Sequence, residues 1–357
     1  VTAPSTILVI GKFYTEGFAL HIAETLAAMG HGVRRFEPGM SRLPGRVGQR
    51  VDQVRSVLHG ASDNVPLVRA RRMRALWKEL ERGPVNIVIV CHDFLWPEDV
   101  SELKRRSGAA VTLWFPDAIV NFRKAFFLNA PYDALFFKDP YAVSMLRGVL
   151  GNRVFYLPEA FNPDRHRLPD GDGIGNEFRC DIATAGNLHS WRVALFRQLD
   201  AYDVRIWGAA PPLWLPLGPV KAMARGRAVF NADKARAFLG AKIVVNNLHY
   251  GEIWGANVRI FEAAGIGAFQ LVDWRPSLSS LFVDGSELVT FRGVEDLKRL
   301  IDHYLPREAE RLEIAEAGKR RAHAEHTYRH RLALLLATLD GSQCGFPLPA
   351  AGWSAAP

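Results

Sequence analysis

Arg259 and Glu262 stand three residues apart in NVRIFEAAGIGAFQLVD (Asn257 to Asp273), on one face of any helix that begins there. An arginine near a helix N-terminus is a bidentate donor for an anion, and a glutamate one turn on accepts hydrogen bonds from a pair of sugar hydroxyls. The two suit a nucleoside diphosphate and its ribose. They equally suit an ordinary ion pair on a solvated helix face, and spacing alone leaves both readings open. Asn257 is the expected N-cap. In the preceding loop, LHYGEIWGA (Leu248 to Ala256), Tyr250 and Trp254 are rings that can stack on a base or a sugar.

Three more places have residues of the right type. After the apolar run DIATA come Gly186 and Asn187, with Arg192 near the start of the next helix, a second anion-binding arrangement. The alternative for Arg192 is a plain surface residue. NIVIVCHDF delivers His92 and Asp93 from one apolar run, and AVTLWFPD delivers Asp117 from another. A base that takes the proton of an acceptor hydroxyl belongs at such a place, although each of these groups can also cap the turn that follows. Gly11, Lys12, Tyr14 and Gly17 form a glycine-bearing loop after the first strand. It lacks the G-x-G-x-x-G spacing, so no dinucleotide site is read there.

These positions require strands that end together at one sheet edge. TILVI, a helix closing at Gly30 and a strand from Val33 make a first β-α-β unit, and alternation continues to RVFYLP (Arg153 to Pro158). The stretch FNPDRHRLPDGDGIGNEF, dense in Pro, Gly and charge, then interrupts it. The division expected is a first domain over 1–165, a linker over 166–178, a second domain over 179–325, a last helix over 326–340 and a mobile tail over 341–357. Ser41 to Asn64 reads as a mobile polar excursion that could shape an acceptor site. A basic helix from about Val65 to Arg82 carries Arg69, Arg71, Arg72 and Arg74; it is a solvated face or a docking surface for an acidic acceptor or lipid.

With 357 residues the chain exceeds one core, and 48% hydrophobic with 23% charged residues is a globular composition. A formal charge of +8 favours anionic partners without choosing among them. No nucleic-acid-binding signature accompanies it, so nucleic acid is not expected. Cys91, Cys180 and Cys344 are too few and too dispersed for a disulfide framework, and the first two read as core residues. Without a signal-like or membrane-spanning run, a cytoplasmic protein is expected. His323, His326 and His330 lack carboxylates in ligand spacing, and no metal is expected there.

The segment from Asn257 through FEAAGIGAFQLVDWRPSLSSLFVDGSELVTF to HTYRHRLALLL resembles the CgeB-like (spore maturation protein) glycosyltransferases, of GT-B architecture. Similarity continues at LWFPD, YDALFFKDPYAVSMLRGVLG, VFYLPEAFNP and DIATAGNLHSWRVALFRQL. The resemblance implies an α/β GT-B fold, two Rossmann-like domains facing across a cleft, with the last helix crossing back to the first. It implies an enzyme of the EC 2.4 class that moves a sugar from a nucleoside-diphosphate sugar to a glycan, protein or small-molecule acceptor, with no cofactor. The family places an acid after LWFP, which ranks Asp117 first as base, before Asp93 and His92. In many GT-B enzymes the glycine loop approaches donor or acceptor, and a first glutamate stands eight positions before the ribose-binding one. Here Trp254 occupies that position and Glu252 is displaced. The alternatives are a nucleotide-sugar epimerase on the same fold and a non-catalytic glycan or nucleotide binding module.

Overall fold

The computed structural model describes residues 4–38, 65–118 and 125–349. The excursion expected over Ser41 to Asn64 lies outside them. The first half forms a parallel sheet from β1 (Thr6–Ile10), β2 (Gly32–Phe36), β3 (Ile87–Val90), β4 (Ala110–Phe115), β5 (Ala134–Phe137) and β6 (Val154–Tyr156), in the order β2-β1-β3-β4-β5-β6. The second half repeats the pattern with β7 (Cys180–Ala185), β8 (Val204–Trp207), β9 (Ala241–Asn246), β10 (Gln270–Asp273) and β11 (Val289–Phe291), ordered β11-β10-β9-β7-β8. Both orders reverse direction beside the first strand of their own sheet, between β1 and β3 and between β7 and β9. At such a switch point adjacent loops diverge and leave a crevice at the carboxyl edge. The central strands are largely apolar because helices cover both faces, with a few buried polar residues such as Thr112, Thr184 and Asn246 among them.

In the first half the helices are α1 (Phe18–Ala28), α2 (Pro66–Leu80), α3 (Pro97–Ser107) and α4 (Pro140–Leu150). The second half has α5 (Ser190–Phe196), α6 (Val220–Met223), α7 (Asn231–Leu239), α8 (Val258–Ile266), α9 (Val294–Tyr304), α10 (Glu308–Glu325) and α11 (Tyr328–Leu339). Among the described residues, no helix is long and apolar enough to cross a membrane.

The last helix returns to the first domain. Tyr328, Leu332, Leu335 and Leu336 of α11 pack with Ile7, Val9, Ile22, Leu26 and Trp114. Thr327 starts it, accepting from the backbone N–H of His330 through its hydroxyl. Of the tail expected to be mobile from residue 341, the described part, to residue 349, is anchored instead: the Phe346 N–H donates to the Tyr156 carbonyl at 2.8 Å and its ring packs on Tyr156 and under Arg331. An aromatic ring among small residues is enough to anchor such a segment.

The three histidines near the α10–α11 junction are structural. His326 is fully buried and held near 3 by burial and by Arg331, with its ring nitrogens on the Leu281 carbonyl and the Arg331 guanidinium. His323 meets the Gly265 carbonyl, and His330 the Thr327 hydroxyl. Cys91 and Cys180 are buried as expected, and Cys344 is exposed.

Candidate active site

The crevice of the second sheet lies between the loop after β7 and the loop after β9, and two arginines floor it. Arg192, on the first turn of α5, donates to the carbonyls of Gly186 (2.8 Å) and Asn187 (3.0 Å), to Asn247 Oδ1 (3.1 Å) and to Thr184 Oγ1 (2.7 Å). Arg259, on the first turn of α8, donates to the carbonyls of Ala185 (3.0 Å) and Asn247 (2.9 Å) and to Asn246 Oδ1 (3.2 Å). The expected i,i+3 alternative is thereby corrected, because Arg259 reaches across the crevice rather than along its helix to Glu262. Five N–H donors serve these three acceptors, so Arg259 keeps donor capacity for a ligand.

Among the described residues neither guanidinium has a carboxylate partner within salt-bridge distance. Burial and the like charge of Arg259 push Arg192 well below the ordinary arginine range; burial also lowers Arg259, with Glu252 and Glu262 opposing. Gly186 permits the convergence: with φ at +114°, a Cβ there would stand 2.7 Å from one Nη of Arg259 and 3.2 Å from one of Arg192. Two buried cations without a counter-ion form an incomplete electrostatic unit, which an anion completes.

Polar atoms without partners mark the rest of the crevice. Asn247 Nδ2, Glu252 Oε2, Asn257 Oδ1 and Glu262 Oε2 are all buried without a hydrogen-bond partner. All four belong to the turn between β9 and α8 or to that helix. Such atoms are rare in folded proteins unless a ligand or water supplies the missing bond. Asn257 sits at the N-cap position as expected, but its side chain does not make the capping bond. At the rim, Trp191 and Tyr250 are exposed and meet edge to face, centroids 6.2 Å apart, with His249 beside Tyr250. Trp254 is half-buried against Tyr141 of the first domain, so of the two rings expected to stack on a ligand only Tyr250 is open.

The carboxyl edge of the first sheet faces this crevice. Asp117 is exposed after β4, with Oδ1 accepting from the N–H of Ala118 at 2.8 Å. Asp93 has both carboxylate oxygens on backbone N–H groups, those of Phe126 (3.0 Å) and Phe127 (3.2 Å). Its role is therefore to cap the 3₁₀ turn Phe126–Leu128. His92 accepts from the Asp93 N–H through Nδ1, which leaves its proton on Nε2; burial and Lys12 lower it, so the ring is neutral with no free lone pair. Of the three acids and bases expected here, only Asp117 keeps an accessible acceptor. In the glycine loop, Gly17 brings the backbone close at the start of α1: a Cβ there would meet the Tyr14 carbonyl at 2.7 Å. Gly11 is packed on Ala19, Lys12 lies 6.0 Å from the Phe94 ring centre, and Tyr14 is exposed.

Charged groups that the sequence reading passed over join the two domains. Lys138 and Asp139, at the end of β5, grip the loop after β9. The Lys138 ammonium lies 2.6 Å from Glu252 Oε1 and 3.2 Å from Glu159 Oε2, and Asp139 accepts from the N–H groups of Ile253 (2.8 Å) and Trp254 (3.3 Å). Glu159 stands just beyond β6 and is pushed up to about 7 by burial, against Lys138, with repulsion from Glu252 adding to the rise. Burial opposes the charge on Lys138, but its two carboxylates outweigh burial and hold it protonated. A second junction joins Glu16, in the glycine loop, to the Asn231 N–H (2.6 Å), to His166 Nε2 (3.0 Å) and to the Lys234 ammonium. Lys234 also holds Glu262 Oε1 at 2.8 Å. Glu16 (φ 66°) and Asn231 (φ 49°) both adopt left-handed backbone to meet.

Glu16, His21 and His166 lie near enough to share a cation. The geometry disfavours one. His166 Nδ1 accepts from the Asn162 N–H, His21 Nδ1 faces Asn162 Nδ2, and Lys234 already neutralises Glu16.

Lys138, Asp139 and Glu159 could have been found by the rule that picked out Asp93 and Asp117, applied to the ends of β5 and β6. No such rule finds Glu16, His166 or Lys234, whose relation exists only across the domain junction.

Two like-wound Rossmann-like domains with facing carboxyl edges, and a last helix returned to the first domain, are the GT-B architecture. Residues 190–337 match a family model described as "Glycosyl transferase-like". No curated protein matches the chain in sequence. Among solved structures, the fold is similar to sucrose-phosphate synthase from Thermosynechococcus elongatus (TM-score 0.65, 12% identity, 95% of this chain and 100% of that one). It is also similar to Anabaena Alr3699/HepE in complex with UDP-glucose (TM-score 0.60, 12% identity, 94% and 100%). A third likeness is to a putative UDP-N-acetylglucosamine 2-epimerase from Listeria monocytogenes (TM-score 0.56, 12% identity, 97% and 100%). At this identity the likenesses establish the fold and leave the reaction to be argued from the site.

Proposed function

We propose that this protein is a glycosyltransferase that takes a sugar from a nucleoside-diphosphate sugar and passes it to a hydroxyl acceptor. The observation that carries the reading is the pair of uncompensated guanidinium groups, Arg192 and Arg259, converging on Gly186 in the second crevice. A diphosphate there gains two buried cations already oriented by backbone carbonyls, which is the electrostatic stabilisation a departing diphosphate requires. Because the arginines supply that charge, the transfer needs no metal and no cofactor. Glu262 Oε2 and Asn257 Oδ1 accept from ribose or sugar hydroxyls, Asn247 Nδ2 donates, and Tyr250 with Trp191 offers a face for the base. The UDP-glucose complex of a fold relative makes a uridine donor the first to test.

In the transfer, Asp117 takes the proton of the acceptor hydroxyl while its oxygen bonds to the anomeric carbon. The bond from that carbon to the diphosphate oxygen breaks, and its electron pair leaves with the diphosphate toward Arg192 and Arg259. The acceptor enters from the first domain, past Asp117 and the Gly11–Gly17 loop. The exposed Leu67, Arg71 and Arg74 of α2 offer a place for an acidic acceptor or lipid surface to rest.

Incubation with UDP-, GDP- and dTDP-sugars in magnesium-free buffer tests the reading. Release of nucleoside diphosphate, raised by added acceptors and lost in Asp117→Asn, is expected. Conversion of donor to another sugar nucleotide would make the protein an epimerase. Binding without turnover, indifferent to Asp117, would make it a binding module.

A further inference from the structure

Glu252 and Glu262 share an arrangement. Each is buried, each has Oε1 on a buried lysine ammonium (2.6 Å from Lys138, 2.8 Å from Lys234), and each leaves Oε2 without a partner. A carboxylate can rotate to share both oxygens with water, and a single-point lysine bond in a buried setting prevents it. The difference lies in where the lysines come from. Lys234 belongs to α7, in the same domain as Glu262; Lys138 directly follows β5 of the first domain, 114 residues from Glu252. The loop that carries Glu252 is further fitted to that domain by the Asp139 bonds and by Gly255, where a Cβ would stand 2.9 Å from the Lys138 carbonyl.

We propose that Lys138 is a positioning residue: when the domains meet, it fixes Glu252 so that Oε2 accepts a hydroxyl of the transferred sugar. This rests on the donor reading above. A donor whose diphosphate lies on Arg192 and Arg259 must direct its sugar toward the acceptor domain, and Glu252 is the buried unpaired acceptor on that side, beside Glu159. Glu262 is held by Lys234 of its own domain, although that lysine also meets Glu16 at the second junction, whereas Glu252 is held by a lysine of the first domain itself. The site further favours a neutral, hydroxylated sugar, since a uronic acid would bring another buried carboxylate beside Glu159 and Glu252, which already share one lysine.

The experiment measures dissociation constants by titration calorimetry for UDP, UDP-glucose and UDP-glucuronate, or for the GDP equivalents if GDP is the nucleotide that binds. The wild-type protein, Lys138→Met, Lys138→Arg and Glu252→Gln are compared, each checked for an intact thermal transition. The wild type is expected to bind UDP-glucose more tightly than UDP and UDP-glucuronate no better than UDP. Lys138→Met and Glu252→Gln are expected to leave UDP affinity within about twofold while UDP-glucose loses about tenfold, one hydrogen bond to a charged group, and Lys138→Arg to recover part of it. Glu252→Gln keeps the side-chain shape and serves if Lys138→Met does not fold. Equal weakening of UDP and UDP-glucose in Lys138→Met, unchanged affinity for both, or a wild type that gains nothing from the sugar would overturn the proposal. Failure of every nucleotide to bind wild-type protein would instead overturn the donor reading itself.

Discussion

At the carboxyl edge of the second sheet two guanidinium groups, Arg192 and Arg259, rest on carbonyl oxygens with no carboxylate in salt-bridge distance among the described residues; at the edge of the first, Asp117 is an exposed carboxylate with no cation in that distance among them. The two sheets share one strand order over five strands, the first adding β6, so topology provides like crevices and the side chains make them different. Arg192 and Arg259 have no counter-ion among the described residues, whereas Glu159 shares Lys138 with Glu252. The arginine pair lacks a contacting anion, and the junction where Glu159 meets Glu252 has two carboxyl groups on one lysine. A reaction that detaches a diphosphate on one side and removes a hydroxyl proton on the other needs guanidinium groups at one edge and an exposed carboxylate at the other.

The largest effect separating the edges is expected from Asp117→Asn. Loss of the base should lower turnover by about 10²–10⁴-fold while nucleotide affinity stays unchanged, a split that steady-state kinetics and equilibrium titration resolve together. Arg259→Met should do the reverse at its own edge, weakening nucleoside diphosphate binding by about 10–100-fold through the loss of a charge-assisted contact. Magnesium should restore neither. Lys234→Met leaves Glu16 and Glu262 without their shared cation and should weaken nucleotide binding by about tenfold, with a lower thermal midpoint from two unpaired buried carboxylates.

The smallest effect is one of pH. The folded protein holds the Glu159 proton more tightly than the unfolded chain, because burial raises its pKa from the ordinary 4.5 to about 7. The contribution is therefore greatest below about 4.5 and is lost as pH rises through about 7. Glu159→Gln should flatten that fall and lift the midpoint at pH 8 by a few degrees, in thermal scans across pH. A midpoint that falls more steeply in Glu159→Gln would contradict the assignment.

The edge of the second sheet was legible because its parts are local. A strand, a Gly-Asn turn and Arg192 lie within one β-α unit, as do Asn257, Arg259 and Glu262, and a parallel strand places its following loop at the carboxyl edge whatever the rest of the chain does. Spacing could not tell that Arg259 turns away from Glu262 toward the Ala185 carbonyl, 74 residues earlier. The edge of the first sheet was less legible. Asp93 obeys the same strand-end rule as Asp117, yet its carboxylate is consumed by Phe126 and Phe127 on a distant turn. The junction was not legible at all, since Lys138–Glu252 and Glu16–Lys234 pair residues with no common period, and His166 lies in a stretch whose Pro, Gly and charge read only as linker.

The central claim is that Arg192 and Arg259 form the diphosphate site of a sugar-nucleotide donor, and the most direct measurement is calorimetric titration of UDP, GDP and dTDP in magnesium-free buffer against wild-type protein and Arg259→Met. Saturable binding of one nucleotide to the wild type is expected, independent of magnesium and weakened about 10–100-fold in the variant. Equal affinity in both proteins, or binding that appears only with magnesium, would contradict that claim.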